Sequence, residues 1–398
     1  MILILTPNID EHGPEYCQLM RHLSDLPNLE LRIHCEQGVE KSLTEVHLIG
    51  NTAGLSEEYL RSLPAVEHVV RVSEAYRVLG RHADDHRAVG FSYQGIRFGQ
   101  DNLNVFAGLC AVDTPQHVET MMRALRDCGQ VCTRMGAYKP RTSPYSFQGH
   151  GKRCLPYVFE LAGRYGIKII AMEVTRESHV DEIHEALEMT GNPTGVMLQI
   201  GTRNTQNFEL LKSVGKQYEF PVLIKRSYGI TLDESLHAAE YLASEGNSKV
   251  VFALRGTKTN SSEPHRNSVD FAFVPVVKRL TRMPVCIDPS HSVGTRASGP
   301  EGILDIMHVT AQGVIAGANM ILVDFHPAPA RALVDGPQAL HLDELELFLE
   351  DVQIAREAYE KRLELNSRRS FNHESYGQVL APDALTTAIS TELDFIHF

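Results

Sequence analysis

Three absences narrow the field before any motif is read. No apolar run approaches the roughly 18 to 20 residues that a bilayer-spanning helix needs, so no membrane span is expected. The seven cysteines, at positions 17, 35, 110, 128, 132, 154 and 286, are odd in number and form no CxxC pair. That scatter fits free thiols in a reducing compartment, and a cytoplasmic location is expected. The chain also lacks any positive excess: 38 Lys and Arg stand against 50 Asp and Glu, for a net charge of -12. Such a balance argues against a general binder of nucleic acid or of membrane surfaces. Local basic loops on an acidic body suit small anionic substrates better. Positions 1–6 are apolar but short and have no basic flank, so they read as a strand and not as a signal peptide.

What is present describes an ordinary globular chain. With 398 residues, 43% hydrophobic and 22% charged, it has the length for two or three domains and a sizeable core. Residues 1–90 read as one small unit with strands at 2–6, 29–36, 44–49 and 66–72 and helices at 14–26 and 57–62. That order suits a ferredoxin-like (ACT-like) α+β sandwich. The unit holds no dense cluster of titratable groups, which points to regulation or assembly. Residues 91–104 look like a hairpin turning at Gly95.

From there short apolar runs alternate with helical patterns about every thirty residues. The runs fall at 103–109, 129–133, 167–172, 195–200, 221–224, 249–254, 284–287 and 319–323. Helical spacing lies between them, at 117–126, 155–165, 232–244 and 269–280 among others. Near-continuous apolar strands separated by helices indicate a parallel sheet covered on both faces. Eight such units in a row predict a closed (β/α)8 TIM barrel over residues 91–345. A charged amphipathic helix at 343–365 follows, and in the C-terminal unit of helix and tail, 346–398, the last stretch, 366–398, could pack on the barrel or on a partner subunit.

The most charged loop runs from Arg134 to Gly149, RMGAYKPRTSPYSFQG. Arg134, Lys139 and Arg141, two prolines and several small hydroxyls make it an anion-binding candidate, because guanidinium forks match carboxylate and phosphate oxygens in pairs. Barrel enzymes place their sites at the carboxyl ends of the strands. Just after the eight runs stand Cys110; the 134–141 cations; Glu173; Arg203; Lys225 with Arg226; Arg255; His291; and Asp324. Cys110, His291, Asp324 and the later Asp335 offer S, N, O and O ligands, a mixture suited to Mn²⁺, Fe²⁺, Co²⁺ or Zn²⁺. Arg134, Lys139, Arg203, Lys225 and Arg255 form a separate anion cradle. A metal beside such a cradle suggests Lewis-acid polarisation of a carbonyl near a phosphorylated partner.

These stretches carry a resemblance. GLCAVD, RMGAYKPRTSPYSFQG, QIGTRNTQNFELLK, PVLIKR, LRG, PVCIDPSHSVG, VDFHPAPARALVDGPQ and, near the start, VEHVVRVSEAYRVLGR resemble the type I beta 3-deoxy-D-arabino-heptulosonate 7-phosphate (DAHP) synthases over residues 1 to about 360. The resemblance implies condensation of phosphoenolpyruvate with erythrose 4-phosphate, releasing phosphate, at the entry to the shikimate pathway and aromatic amino acid biosynthesis. It implies that Arg134 and Lys139 hold the phosphoenolpyruvate carboxylate, with Glu173 nearby. Arg203, Lys225 and Arg255 would hold its phosphate, and Arg141 and Thr142 the phosphate of the aldose. Cys110, His291, Asp324 and Asp335 would bind the metal, Mn²⁺ foremost, and Lys139, Cys110 and His291 would carry the chemistry. It further implies a homo-oligomer, dimer or tetramer, under allosteric control by an aromatic amino acid.

The chain departs from the family pattern at four places. Leu109 stands where proline is usual, Asp324 where glutamate is usual, and Ser227 where glycine is usual, and the 257–267 loop differs. Two further readings follow: a paralogue of specialised metabolism using another phosphorylated aldose, or a non-catalytic descendant that binds an effector. His326 is a rival to Asp324 as metal ligand.

Overall fold

The computed structural model describes residues 1–27, 29–37, 42–50, 52, 55–70, 76–82 and 89–368. The chain opens with β1 (Ile2–Leu5), α1 (Pro14–Ser24), β2 (Leu29–Gln37), β3 (Ser42–Gly50), α2 (Glu57–Arg61) and β4 (Val66–Val70). The strands pair antiparallel in the order β2-β3-β1-β4, the ferredoxin-like arrangement. Alternation along β3 explains its two faces: Val46 and Leu48 join Leu19, Leu23 and Leu60 in the core, which leaves Glu45 and His47 on the other. The predicted end of β4 at 72 and the boundary near residue 90 adjoin positions 71–75 and 83–88, outside the described residues.

Next come the hairpin strands β5 (Phe91–Tyr93) and β6 (Ile96–Phe98), joined through Gln94 and Gly95, both at positive φ. Eight parallel strands follow: β7 (Asn104–Leu109), β8 (Cys132–Met135), β9 (Ile169–Val174), β10 (Gly195–Ile200), β11 (Val222–Lys225), β12 (Val250–Leu254), β13 (Val285–Ile287) and β14 (Met320–His326). Each pairs with its neighbour, and β14 pairs with both β13 and β7, so the sheet closes. A short strand, β15 (Leu340–His341), continues beside β14. The outer helices are α3 (Pro115–Asp127), α4 (Leu155–Tyr165), α5 (Ser178–Met189), α6 (Phe208–Gly215), α7 (Leu232–Ser244), α8 (Val274–Leu280), α10 (Asp305–Ile315) and α11 (Leu345–Ser367), with the short α9 (Pro289–Val293) directly after β13. This is the predicted TIM barrel.

Phe98 of the hairpin packs among inward-facing residues such as Phe106, Ile169, Met197 and Met320. Several of these lie at the starts of their strands, so the hairpin plugs that mouth and leaves the opposite one for chemistry. The outer face of β3 turns toward α7: Arg32 donates to the Ser244 carbonyl at 3.1 Å, and His47 shares a cleft with His237 and Tyr241. Glu45 and His47 are therefore buried, and they pair at 3.0 Å.

Several predicted bounds move. β8 begins at Cys132, not 129, because Gly129 adopts φ +69 in the turn after α3. It runs to Met135, so Arg134 belongs to the strand and not to the loop. β9 likewise extends to Val174 and takes in Glu173. The helix expected at 269–280 is a 3-10 turn, Phe271–Phe273, followed by α8. The last helix starts at Leu345, after another 3-10 turn. Most of the 346–398 segment beyond α11, residues 369–398, lies outside the described residues. Among the described residues no helix is long and apolar enough to cross a membrane.

Candidate active site and metal centre

At the carboxyl mouth of the barrel a cavity of about 280 Å³ is lined by loop and strand-end residues from around the ring. Its floor is a set of buried ion pairs. Lys225, the last residue of β11, donates to Asp288 Oδ2 at 2.6 Å. Lys139 donates to Glu173 Oε2 at 3.1 Å, and Arg134 Nη1 to Asp324 Oδ1. All six groups are at most 8% exposed. Burial opposes the Lys139 and Arg134 charges, but the anionic neighbours outweigh it and hold both pKa values above their ordinary range. For Lys139 these neighbours are chiefly Cys110 and Glu173, and for Arg134 chiefly Asp324. Gly201 leaves room for Glu173, since a β-carbon there would lie 1.9 Å from its Oε1.

Four potential ligands meet at one side. Cys110 Sγ lies 3.2 Å from Asp335 Oδ2 and 3.9 Å from His291 Nε2, which is 3.6 Å from Asp335 Oδ2. With Asp324 added, one ligand atom from each residue falls within 4.8 Å of the others. The orientation of His291 suits this role. Its Nδ1 faces Asp288 Oδ1 at 2.9 Å, which places a proton there and aims Nε2 at the cluster, the usual arrangement behind a metal-bound imidazole. Without an ion, burial works against the imidazolium, but Asp288 and Asp324 push His291 up to about 10. Asp335 sits at φ +54, a left-handed conformation that a non-glycine residue seldom adopts. His291 and Arg266 hold its carboxyl well below the usual range against the pull of burial. The donor set and its closeness fit a borderline divalent ion.

A second cluster, Asp113, His117 and His326, does not fit one. The His326 Nδ1 accepts the Ala328 N–H at 2.9 Å, so its proton is on Nε2, which donates to Asp113 at 2.8 Å. Both nitrogens are used, and His326 groups with Asp113 and His117 and not with Cys110. It is no substitute for Asp324. Two histidine donors and the Thr114 N–H lower Asp113 to about 2 in spite of burial.

The rest of the cavity is unlike the floor. Arg255 is 4% exposed, yet its side chain makes no hydrogen bond among the described residues; Tyr228 lies 5.9 Å below its guanidinium. Burial lowers its pKa, with Arg266 and Arg203 adding to the effect and Asp288 opposing it. Among the described residues Arg203 reaches only the Thr142 hydroxyl, at 3.1 Å. Arg141 lines the same wall. Among the described residues, these three guanidiniums thus line one space without a carboxylate of their own.

Of the residues read from sequence, Lys139, Arg141, Thr142, Glu173, Arg203, Lys225, Arg255, His291 and Asp335 line the cavity. Arg134, Cys110 and Asp324 stand behind that lining, tied to one another. Arg134, expected to grip a substrate carboxylate, faces Asp324 and the Cys110 sulfur, 3.6 Å away. Residues that sequence reasoning missed include Asp288, Gln338, Gln199 and Arg266. Asp288 could have been found, since it opens the DPSH motif as the N-cap of α9, accepting the His291 N–H at 3.1 Å.

A closed barrel with buried charges gathered at one mouth is the architecture of a (β/α)8 enzyme. The chain belongs to the DAHP synthetase I family, whose model matches residues 80–361, and residues 1–74 match the DAHP synthase ferredoxin-like domain. It is an enzyme of the DAHP synthase type. A phospho-2-dehydro-3-deoxyheptonate aldolase of Thermotoga maritima is 34% identical over 354 residues, covering 89% of this chain and 96% of the relative. The crystal structure of a Thermotoga maritima DAHP synthase superposes with a TM-score of 0.64 at 31% identity, covering 91% and 97%. A 2-dehydro-3-deoxyphosphooctonate aldolase of Acidithiobacillus ferrooxidans is 27% identical over 265 residues, 63% of this chain and 88% of the relative.

Proposed function

We propose that the enzyme condenses phosphoenolpyruvate with erythrose 4-phosphate, taking up one water and releasing phosphate, to give DAHP. The observation that carries this reading is the division of one cavity into an unpaired cation wall and an S/N/O/O ligand cluster. Arg203, Arg255 and Lys225 line the cavity and would hold the phosphate of phosphoenolpyruvate; Lys139, also in the lining, would hold its carboxylate, with Arg134 behind it adding its charge. Arg141 and Thr142, nearer the rim, receive the phosphate of the aldose. Each of these contacts orients a charged end, so that C3 of the enol phosphate and the aldehyde carbon meet over the floor. Cys110, His291, Asp324 and Asp335 would hold the divalent ion, Mn²⁺ in our reading, which when bound supplies Lewis-acid polarisation of the aldehyde. Asp288 fixes the His291 tautomer, and Glu173 keeps the Lys139 ammonium in place.

The test is turnover of the two substrates by protein stripped with a chelator and then reloaded. Phosphate release should vanish on stripping and return with Mn²⁺; full activity in verified metal-free protein would overturn the assignment. A second reading, a different phosphorylated aldose, is favoured by Asp324, Leu109 and Ser227 and by similarity to an octonate-forming relative. Comparing kcat/KM across four- and five-carbon aldose phosphates separates the two.

We assign the 1–74 unit to regulation by an aromatic amino acid, Tyr or Phe, and to homo-oligomer assembly. It holds none of the site residues, and its outer face meets α7 of the barrel. Removing it should leave turnover largely intact and abolish inhibition; inhibition that survives the deletion would end this idea.

A further inference from the structure

Asp324 is one methylene shorter than the glutamate usual in the family, and both of its oxygens are occupied. Arg134 donates to Oδ1, and the Gln338 amide donates to Oδ2 at 2.6 Å. Gln338 is 2% exposed and follows the left-handed Asp335 by a single 3-10 turn. Its other end is also fixed: Arg266 Nη1 donates to Gln338 Oε1 at 2.8 Å and lies 3.4 Å from Asp335 Oδ1. A primary amide can turn over, exchanging its donor and acceptor ends. The Arg266 donor permits only the orientation that presents NH₂ to Asp324. The backbone of Arg266 is itself anchored on α9, donating to the Val293 carbonyl at 2.8 Å, and Asn267 donates to the His291 carbonyl at 2.7 Å. The 257–267 loop, which departs from the family pattern, therefore touches two of the four ligands and reaches a third, Asp324, through Gln338.

We propose that Gln338, held in one orientation by Arg266, is a positioning residue that sets the short Asp324 carboxylate for metal binding. The inference rests on the metal reading of this site. A free aspartate at this strand end would sample rotamers that turn it from the cluster; two donors from opposite sides leave one. Partners that orient metal ligands typically contribute 10- to 100-fold in affinity. Arg266 is the part of the device that differs in setting, because it comes from a loop and its side chain is 39% exposed. Its loss should act only through the Gln338 amide and Asp335.

The experiment is titration of metal-free full-length protein with Mn²⁺, followed by electron paramagnetic resonance, with Co²⁺ absorption as a probe of the ligand field. Gln338→Leu should weaken Mn²⁺ binding about 10- to 100-fold and alter the Co²⁺ spectrum. Arg266→Met should weaken it less, and Arg266→Lys, which keeps a donor, should restore most of the loss. Adding Arg266→Met to Gln338→Leu should cost little more, because the two act in series. Mn²⁺ affinity within twofold of the parent in Gln338→Leu would overturn the proposal while leaving the metal reading intact. Absence of saturable metal binding by the parent would overturn both. Since Gln338→Leu alters a buried position, Gln338→Glu serves as a second variant. It keeps the shape but sets a carboxylate against Asp324, and it should also weaken the ion; unchanged affinity there would count equally against the clamp.

Discussion

The floor of the cavity and its wall use the same kinds of side chain under opposite rules. On the floor, each cation has an anion: Arg134 with Asp324, Lys139 with Glu173, Lys225 with Asp288. On the wall, Arg255, Arg203 and Arg141 have none among the described residues. A buried pair holds its members in one geometry, at a desolvation cost that its attraction roughly offsets. Arg255 is the buried one of the three, and an unpaired buried guanidinium is destabilising; on the proposed function the substrate phosphate supplies the missing charge. On that reading the floor is rigid before substrate arrives and the wall is completed by it.

The largest effect should come from breaking the floor. Lys225→Met removes the cation that donates to Asp288 and leaves that carboxylate buried with His291 as its hydrogen-bonded partner and Arg134 and Arg255 as more distant charges. Removing one member of a buried pair costs about 3 to 5 kcal/mol, so denaturant unfolding should show a loss of that order. Activity should fall with it, because Asp288 also sets the His291 tautomer. A stability change under 1 kcal/mol would show that the pair does not constrain the floor.

The wall should respond the other way. Arg255→Met removes no hydrogen bond among the described residues, and the relief of repulsion from Arg203 and Arg266 offsets the lost attraction to Asp288. Its unfolding free energy should equal or exceed the parent's. Its kcat/KM for phosphoenolpyruvate should nevertheless drop by roughly 10- to 150-fold, the equivalent of one or two charge-assisted contacts at about 1.5 to 3 kcal/mol in all. If Lys225→Met and Arg255→Met lost equal stability, the distinction between floor and wall would collapse.

How much of this was legible in the sequence follows from the same distinction. The barrel was readable because eight buried parallel strands leave near-continuous apolar runs. The wall was readable because Arg203 and Arg255 stand directly after such runs, within GTRN and LRG. The floor was readable only in part. Arg134 reads as a loop residue because a charged residue ordinarily ends a strand, and its pairing with Asp324, 190 positions away, is what admits it to β8. Gln338 and Arg266 gave no signal, since an amide and an arginine in polar loops have nothing local to mark them. Long-range partners make them matter, and one sequence does not carry that pairing.

The smallest effect tests the wall without any substitution at the floor. Inorganic phosphate offers the dianion the wall lacks and binds only the folded protein, so it should stabilise by RT ln(1 + [L]/Kd), about 1.4 kcal/mol at tenfold Kd. The parent should therefore melt at higher temperature as phosphate rises, at constant ionic strength. Sulfate at the same ionic strength controls for general salting effects and should act in a similar range, because both present tetrahedral oxygens. Chloride should not. In Arg255→Met the phosphate increment should shrink to less than half, because the most buried of the free guanidiniums is gone. Lys139→Met, which strips Glu173 of its partner but leaves the three wall arginines, should keep most of it despite starting from a lower melting temperature. An increment that disappears equally in both variants would mean that floor and wall bind phosphate as one unit, and the division drawn between them would fail.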